Sequence, residues 1–351
     1  RSRVAVLDPA PEGPAASVAD LHIQAEYDDE EGLLRLTRQC RAVTTEFENV
    51  PASSLKILAK RCRVTPGAQA VETVQDRIAE KAYITSQGVA VAPYAPIRSA
   101  DDLRAAGEHL FPGILKVARL GYDGKGRARV RTCAEAVAAF EEFGGVPCVL
   151  EAMLDLQEEL SVVMARGLDG QCKVFPVASN VHDHGILAVS TVNIEPPASA
   201  QRATEAALAI ANGLQYQGVL CVEFFILRDG QLLVNEIAPR PHNSGHYTMN
   251  ACVTSQFEQQ ARVMARLPLG STQLLAPVVM LNILGDAWYT DETDTQTEPD
   301  WSGVLAVPGA SLHLYGKREA RRGRKMGHVN CVGNTLAEAI AAANRVVNVL
   351  R

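Results

Sequence analysis

The sequence predicts a mixed α/β protein, with an N-terminal parallel unit and a mixed sheet further along. Short apolar runs alternate with helical patterns over the first fifty residues, which is typical of a parallel sheet. Later apolar runs are joined by Asp229-Gly230, a strong signal for an antiparallel hairpin. With 351 residues, 47% of them hydrophobic, the chain is long enough for two or three domains with their own cores.

The first unit, residues 1–85, opens with a predicted strand at 3–8 that ends in an acid and a proline-rich turn. Strands at 22–25 and 42–47 flank a helix at 29–40. A strand at the third residue, with no glycine-rich turn after it, is abrupt for such a domain. We therefore expect the natural N-terminus, with a first strand and glycine-rich turn, to lie upstream of Arg1.

Two further units are predicted, a small central one at 86–152 and a C-terminal one at 153–351. The central unit has strands at 113–119, 127–130 and 146–153 and a helix at 133–143. In the last unit we predict strands at 159–166, 173–178, 278–284, 311–315 and 328–332, helices at 199–215, 250–266 and from 335, and a hairpin at 219–237. The polar stretch 290–300 is predicted to be a surface loop.

Composition excludes several classes of function. The net charge of -6, with no basic stripe carrying interleaved aromatics, disfavours a broad nucleic-acid surface. The eight cysteines are scattered without a C-x-x-C pair, which is typical of reduced cytoplasmic proteins. No apolar stretch reaches the ~18 residues of a membrane span. We expect a cytoplasmic protein with no nucleic-acid or membrane partner.

The hairpin around Asp229-Gly230 predicts a pair of acids on neighbouring strands. If these two residues alone form the turn, counting outward places Glu223 opposite Glu236. Their Cβ atoms would then lie roughly 4.5–5.5 Å apart, and like charges at that distance call for a cation. Oxygen ligands suit Mg²⁺, which often takes one or two carboxylates and phosphate oxygens. A register slipped by one residue, or two acids at a solvated rim, are the alternatives.

A glycine-rich loop lies between the strands 113–119 and 127–130. Gly121, Gly124 and Gly126 let the backbone approach phosphates, and Lys116 before the loop supplies a positive charge. The loop lacks the G-x-x-x-x-G-K-[ST] pattern, so a P-loop kinase is disfavoured. A plain hairpin with a solvated lysine remains the alternative reading.

These features and their flanking segments resemble the ATP-grasp superfamily, and within it the N5-carboxyaminoimidazole ribonucleotide synthetases of purine biosynthesis. The resemblance spans nearly the whole chain and rests on QDRIAEK (75–81), LKVARLGYDGKG (115–126), VLEAMLDLQEELSV (149–162), ASNVHDHGIL (178–187), GVLCVEFF (218–225), NEIAPRPHNSGHYT (235–248) and GRKMGHVN (323–330). The run APRPHNSGH is its most discriminating part, since many other ATP-grasp enzymes are alike only up to the metal-binding acids.

The resemblance implies an ATP-grasp fold with an N-terminal parallel α/β domain, a small central lid domain and a C-terminal mixed-sheet domain. It also implies a reaction in which ATP, bicarbonate and 5-aminoimidazole ribonucleotide give N5-carboxyaminoimidazole ribonucleotide, ADP and phosphate by way of carboxyphosphate. ATP and Mg²⁺ are the implied cofactors, and a homodimer is the implied assembly.

The resemblance also assigns a nucleotide site. Arg77 and Lys116 would contact the ATP phosphates, and Glu223 and Glu236 would carry Mg²⁺. The other expected contacts are the closing loop (Gly121, Tyr122, Asp123, Gly124, Lys125, Gly126, Arg127), the adenine-binding backbone (Glu151, Ala152, Met153, Leu154), Glu159 on the ribose, His182 on the nucleotide and Asn235 beside the phosphates.

The remaining assignments concern bicarbonate and the ribonucleotide. Arg240 and His242 would grip bicarbonate and then carboxyphosphate, between prolines that stiffen the backbone. The candidates for the amine, the ribonucleotide and its phosphate are Tyr122, Asp123, Asn243, Ser244, Lys317, Arg324 and Glu48, with Lys317 also counted as catalytic. A structural histidine at 242, a solvent-facing acid at 48 and a solvated basic face at 317–325 are the plainer alternatives.

One departure and several other functions stay open. Ala238 stands where many ATP-grasp enzymes have an asparagine ligand, and the resembled family is similar in lacking it. Another ATP-grasp carboxylate-amine ligase, or a carboxylase such as biotin carboxylase, would lack the R-P-H-N-S-G-H order. A non-catalytic nucleotide-binding module would not need both acids and the loop lysine. A dinucleotide-binding protein, suggested by RVAVLD alone, would lack its phosphate turn.

Overall fold

The structure is a computed structural model that describes residues 3–121, 126–289 and 295–350. Its N-terminal part has short parallel strands covered by helices, as predicted. The strands are β1 (Ala5–Leu7), β2 (Leu21–Ile23), β3 (Ala42–Val43) and β4 (Arg63–Val64), and the helices are α1 (Pro14–Val18), α2 (Glu30–Gln39), α3 (Ala52–Ala59) and α4 (Ala68–Val74). They pair as β1 with β2 and β3 with β4, rather than as one sheet. The predicted strand 42–47 is only two residues long, so Glu48 lies on a loop and not just beyond the end of a strand.

The central part is a four-stranded antiparallel sheet in the order β5-β8-β6-β7. Its elements, with the helix that leads into it, are α5 (Arg77–Ser86), β5 (Tyr94–Ile97), α6 (Ala100–Ala105), β6 (Gly113–Val117), β7 (Arg127–Val130), α7 (Cys133–Glu142) and β8 (Cys148–Ala152). Leu115, Phe140 and Leu150 belong to its buried core. The glycine-rich loop joins β6 to β7, and residues 122–125 of that loop lie outside the described residues.

The C-terminal part is built on a nine-stranded sheet in the order β14-β13-β9-β11-β12-β15-β17-β16, with β10 beside β9. The strands are β9 (Leu156–Arg166), β10 (Cys172–Val174), β11 (Ala178–Asp183), β12 (Ile186–Val192), β13 (Gly218–Leu227), β14 (Leu232–Ala238), β15 (Val278–Leu284), β16 (Ala310–Leu314) and β17 (Lys325–Val332). The helices are α8 (Ala200–Gly213), α9 (Thr248–Ala251), α10 (Gln256–Ala265), α11 (Trp301–Leu305) and α12 (Leu336–Leu350).

Two expectations about this part need correction. The single strand predicted at 173–178 is two strands, β10 and β11, with Pro176 between them. Proline has no N–H for a ladder, so the pairing stops there. The predicted helix 250–266 begins only at Gln256, where Ser255 caps α10 by accepting from Glu258 N. The predicted loop at 290–300 lies partly outside the described residues, which resume at Thr295.

The hairpin of β13 and β14 has the predicted pairing of acids but not the predicted turn. Leu227 N donates to Gln231 O over 2.9 Å, so the turn has three residues and ends on Gly230 at φ 82°. The strands therefore leave the turn one residue out of the predicted register, with Phe224 opposite Val234. A bulge on β14 then restores it, and Glu223 faces Glu236. The two-residue turn is wrong, whereas the acid pair is confirmed.

The face of the sheet on which the acids lie is set by strand alternation. Leu220, Val222 and Phe224 of β13 pack with α8 in one buried cluster. Glu223 points the other way, since successive side chains of a strand alternate between faces. None of the described helices has the length and apolar character needed to span a membrane.

Candidate active site

A cavity of about 700 Å³ lies where the central sheet meets the nine-stranded sheet and the loop after β3, within the size range of small-molecule sites. Most of the predicted site residues that the structure describes line it. They are Glu48, Arg77, Lys116, Gly121, Gly126, Arg127, Glu151, Ala152, Met153, Leu154, Glu159, His182, Glu223, Asn235, Glu236, His242 and Asn243. Residues far apart in sequence thus share one space.

The acid pair forms part of this wall, and the bulge on β14 shapes it. Asn235 and Glu236 together oppose Glu223, so two adjacent side chains reach a face that a regular strand would give to only one. Asn235 Nδ2 lies 3.4 Å from Glu223 Oε2. Burial, and then the charge of Glu236, raise the pKa of Glu223 to about 7.

Arg77 connects the acid pair with the glycine-rich loop. It is the first residue of α5, which Asp76 caps by accepting from Ile78 N. Its Nη1 lies 3.3 Å from Glu236 Oε2, and its Nη2 donates to Gly121 O over 3.2 Å. Burial opposes ionisation of Glu236, but Arg77 and then Lys116 bring its pKa below the usual value. Glu236 is therefore the charged member of the pair and Glu223 the one open to a further cation.

These acids fit a magnesium site by their chemistry. Among the described residues no group of three or more His, Cys, Asp or Glu side chains is placed to hold a metal. Two carboxylates from the protein nevertheless match Mg²⁺, which keeps several positions for water and phosphate. Burial and the charge of Glu236 raise the pKa of Glu223, and a cation bound between the acids would favour its ionised form.

A buried ion triad stands beside the acids. Glu151 accepts from Lys116 Nζ over 2.9 Å, and Lys81 Nζ lies 3.2 Å from the other oxygen. Lys81 and Glu151 are 1% and 4% exposed, so water screens their charges little. Burial opposes ionisation of Glu151, but the two ammonium groups outweigh it and hold its pKa at about 2. Lys116 is thus fixed at the cavity wall by a carboxylate that is itself fixed by Lys81.

Glu159 and His182 form a second polar contact on the neighbouring strands β9 and β11. His182 Nδ1 lies 2.5 Å from Glu159 Oε2. Burial disfavours the imidazolium, but the contact with Glu159 and the charge of Glu223 raise the pKa of His182 overall. Both side chains line the cavity.

Arg240 does not line the cavity itself but contacts Glu48, which does. Its Nε and Nη2 donate to Glu48 Oε2 over 3.0 and 2.7 Å, and its Nη1 donates to Pro241 O. Gln75 holds the loop that carries Glu48, because its Nε2 donates to the carbonyls of Glu48 and Val50. The ion pair therefore joins the N-terminal part to the turn after β14.

His242 lies between this ion pair and the acids. Its Nε2 is 3.5 Å from Glu223 Oε1. Its Nδ1 accepts from Ser244 N over 3.3 Å and lies 2.9 Å from Ser244 Oγ. Burial, followed by the charge of Arg240, brings the pKa of His242 well below its usual value. A neutral ring that accepts at Nδ1 carries its proton on Nε2, which is directed towards Glu223.

Comparison with known proteins shows to which family the chain belongs. Residues 82–257 match the ATP-grasp domain, residues 278–342 match the phosphoribosylaminoimidazole carboxylase C-terminal domain, and residues 1–75 match the ribonucleotide synthetase preATP-grasp domain. The N5-carboxyaminoimidazole ribonucleotide synthase of Brucella melitensis biotype 1 is 44% identical over 331 residues, which cover 92% of this chain and 88% of that protein. The chain belongs to the N5-carboxyaminoimidazole ribonucleotide synthase family.

Solved structures of the family superpose on nearly the whole chain. An ADP complex of an N5-carboxyaminoimidazole ribonucleotide synthetase has a TM-score of 0.89 at 40% identity, over 98% of this chain and 90% of that one. The Aspergillus clavatus enzyme in complex with ADP and 5-aminoimidazole ribonucleotide has a TM-score of 0.86 at 29% identity, over 99% of this chain and 91% of that one. The predicted ATP-grasp fold and α/β class are confirmed.

Some residues that the resemblance assigned do not line the cavity. Ser244 is fully buried and contacts His242. Lys317 Nζ donates to Lys325 O and Arg324 Nη1 donates to Glu319 O, and neither Lys317 nor Arg324 lines the cavity. The guanidinium of Arg240 is turned to Glu48. Tyr122, Asp123, Gly124 and Lys125 lie outside the described residues.

Sequence reasoning missed charged residues at the cavity of this family member, of which Glu80 lines it and Lys81 lies behind it against Glu151. Glu80 and Lys81 share one stripe of α5 with Arg77 and Ile84, and both are buried. Charged residues at i+3 and i+4 on the apolar side of a helix were the available signal. Lys325, one residue beyond the predicted Arg324, lines the cavity, and no feature of the sequence distinguishes the two.

Proposed function

We propose that this chain carboxylates 5-aminoimidazole ribonucleotide with bicarbonate at the expense of ATP, in purine biosynthesis. The products are N5-carboxyaminoimidazole ribonucleotide, ADP and phosphate, and carboxyphosphate is the intermediate. Family membership supports the reaction, since relatives that cover most of the chain are named for this product. A solved relative that binds ADP together with 5-aminoimidazole ribonucleotide supports the substrate.

One observation carries the assignment to this cavity. The acid pair contacts a different proposed subsite on each side. Arg77 lies 3.3 Å from Glu236, and His242 lies 3.5 Å from Glu223. Arg77, with Lys116 nearby, belongs to the wall that suits a polyphosphate. His242 belongs to the wall that suits a small carboxylate, and Arg240 lies behind that wall on Glu48. The γ-phosphate and bicarbonate would therefore meet at the acids.

The first step would transfer the γ-phosphoryl group to a bicarbonate oxygen. A bond forms between that oxygen and the γ-phosphorus, the bond to the β-phosphate oxygen breaks, and ADP leaves. Arg77 and Lys116 stabilise the charge that accumulates on the phosphates. Glu223 and Glu236 would hold Mg²⁺, which supplies further charge neutralisation when bound. Glu159 and His182, on strands of the same sheet as the acids, would orient the nucleotide.

The second step would join the amine of the ribonucleotide to the carbon of carboxyphosphate. The C–N bond forms, the bond from carbon to the phosphate oxygen breaks, and phosphate leaves with the surplus proton of the amine. Arg240 matches the carboxylate, while the Nε2–H of neutral His242 can donate to an oxygen of the intermediate. Both polar atoms of the Asn243 side chain are buried with no partner among the described residues. Asn243 is therefore open to a polar group of the ribonucleotide.

The proposal includes finer points that rest on the resemblance. They are Mg²⁺ as the metal, bicarbonate as the carboxyl donor, a homodimer as the assembly and the cytoplasm as the location. The experiment that tests the whole proposal is the dependence of ADP release on bicarbonate and on 5-aminoimidazole ribonucleotide. Sedimentation at several protein concentrations tests the dimer independently of activity.

A further inference from the structure

A fully buried glutamine of α10 pairs with the backbone of His242. Gln256 Oε1 accepts from His242 N over 2.8 Å, and Gln256 Nε2 donates to His242 O over 2.7 Å. Gln256 is 0% exposed. One side-chain amide thus satisfies both backbone groups of one residue, as a neighbouring strand would.

The backbone around His242 has few other ways to be satisfied. It follows β14, beyond the last ladder pair at Ala238, and the prolines at 239 and 241 have no N–H to donate. The carbonyl of Pro241 is taken by the Arg240 side chain. His242 O also accepts from Gly245 N over 3.0 Å, whereas His242 N has Gln256 Oε1 as its partner, so the side-chain amide satisfies a buried N–H that would otherwise be costly to leave unpaired.

Gln256 is itself held in place, by a hydrogen bond of its backbone N–H and by close packing of its side chain against Gly245. Gln256 N donates to Thr248 Oγ1 over 3.0 Å, and Thr248 Oγ1 donates to Gly245 O over 2.6 Å. A Cβ added to Gly245 would lie 2.6 Å from Gln256 Oε1 and 2.8 Å from Cδ. Any larger residue at 245 would displace the side-chain amide of Gln256. The backbone of Gly245 does not have a positive φ, so its conformation alone does not require glycine.

We propose that Gln256 is a positioning residue that sets where the imidazole of His242 lies relative to Glu223. The inference rests on the proposed function, because His242 is assigned there to the carboxyphosphate end of the cavity. The link is short: the amide fixes the His242 backbone, Ser244 fixes Nδ1, and Nε2 is left 3.5 Å from Glu223 Oε1. Gln256 itself does not line the cavity.

The variant Gln256→Glu keeps the shape of the side chain and removes its donor. One carboxylate oxygen can still accept from His242 N, but the other then faces the carbonyl of His242, and two acceptors repel each other. The loop must move to separate them. A displacement of about 1 Å at a reacting group can lower a rate by about a hundredfold.

The same helix supplies a matched control. Gln259 is also 0% exposed, and it clamps Gly270 in the same way, with Nε2 donating to Gly270 O and Oε1 accepting from Gly270 N, each over 2.9 Å. Neither Gln259 nor Gly270 lines the cavity. Gln259→Glu therefore imposes the same clash on the same helix, at a residue whose side chain bonds to Gly270 and not to His242.

The experiment measures bicarbonate-dependent ADP release by the full chain with Mg²⁺, with and without 5-aminoimidazole ribonucleotide, together with thermal unfolding. For Gln256→Glu we expect kcat to fall about a hundredfold while the KM for ATP stays within twofold, because Arg77, Lys116 and Glu159 are untouched. For Gln259→Glu we expect a similar loss of thermal stability and a kcat within twofold of the unaltered chain. Gly245→Ala should lower kcat at least tenfold, again without a change in the KM for ATP.

The possible results separate the two proposals. A kcat of Gln256→Glu within twofold of the unaltered chain overturns the positioning role, as does an equal loss of kcat in Gln259→Glu. If Gln256→Glu does not fold, Gly245→Ala decides, and an unchanged kcat in that variant overturns the inference. An unaltered chain that releases ADP equally with and without the ribonucleotide contradicts the proposed function instead. The positioning role of Gln256 is then still tested by the bicarbonate-dependent rates of the variants.

Discussion

Glu223 and Glu236 face each other across β13 and β14 although the turn between them is one residue longer than its Asp-Gly pair predicts. The bulge that restores the register also turns Asn235 towards the same face, 3.4 Å from Glu223. The turn and the bulge therefore act together. Their joint result is a wall on which three polar side chains meet, where a regular hairpin would offer two.

Replacing one acid tests the pair. In Glu236→Gln an amide of the same shape cannot offset a metal ion, so Mg²⁺-dependent ATP turnover should fall at least hundredfold. The chain should still fold, because the relief of repulsion with Glu223 offsets part of the lost ion pair with Arg77. Glu205→Gln, an exposed acid on α8, is the control and should keep full activity. Unchanged turnover in Glu236→Gln would show that the acids do not carry the metal.

The sequence predicted this hairpin only in part, and the reason is local. Asp-Gly is compatible with a two-residue turn and with a three-residue turn that ends on a left-handed glycine, and Gly230 takes the second. The bulge at Asn235 has no signal of its own in the sequence. The longer turn and the bulge each shift the register by one residue, in opposite directions. The predicted pairing of Glu223 with Glu236 is therefore right although the predicted two-residue turn is wrong.

The ion triad at Glu151 predicts a large loss of stability when its centre is removed. Glu151→Gln leaves the buried Lys81 and the largely buried Lys116 without a countercharge, which should lower the free energy of unfolding by about 3–5 kcal/mol. The control is Glu72→Gln, which breaks the half-exposed pair with Lys56 and should cost less than about 1 kcal/mol. Denaturant unfolding measures both. A loss at Glu151 no larger than that at Glu72 would contradict the triad.

Glu80 predicts a dependence of stability on pH. Burial and the nearby charge of Glu236 raise its pKa from 4.5 to about 8, while its carboxyl accepts from Ile237 N. The folded chain thus binds a proton that the unfolded chain releases, so Glu80 costs stability as pH rises from 4.5 to 8. Glu80→Gln keeps the acceptor and removes this cost. Its gain over the unaltered chain should be greater at pH 8.5 than at pH 5.5, by about 2–3 kcal/mol.

Unfolding at the two pH values measures that gain directly. A difference between variant and unaltered chain that stays the same at pH 5.5 and pH 8.5 would mean that Glu80 is ionised in the folded chain throughout. The amide of the variant must still accept from Ile237 N, so a constant loss of stability added to the expected pH-dependent gain would point to a weakened hydrogen bond there.

Arg240 predicts a defect confined to the carboxylate end of the cavity. In Arg240→Lys one ammonium cannot reproduce the fork that reaches Glu48 and that is proposed to match the carboxylate, so bicarbonate-dependent kcat should fall about a hundredfold with the KM for ATP unchanged. Arg228→Lys, which alters a similar but exposed pair with Asp155, is the control. A rise in the KM for ATP alone would place Arg240 at the nucleotide end.

Contacts between distant segments account for most of what the sequence did not predict. Lys81 lies on helix α5, whereas its partner Glu151 lies on strand β8, far along the chain. Gln256 carries no motif, and its role depends on a loop fourteen residues away. Lys317 and Arg324 were assigned by resemblance, whereas Lys325 lines the cavity because β17 begins there. Periodicity predicts elements and faces, but it does not predict which faces meet.

The most direct test of the account is ADP release by the full chain with Mg²⁺ and ATP, measured with bicarbonate, with 5-aminoimidazole ribonucleotide, with both and with neither. We expect rapid release of ADP only when bicarbonate and 5-aminoimidazole ribonucleotide are both present, with formation of N5-carboxyaminoimidazole ribonucleotide in equal amount. Release that is equally rapid without the ribonucleotide, or that ignores bicarbonate, would contradict it.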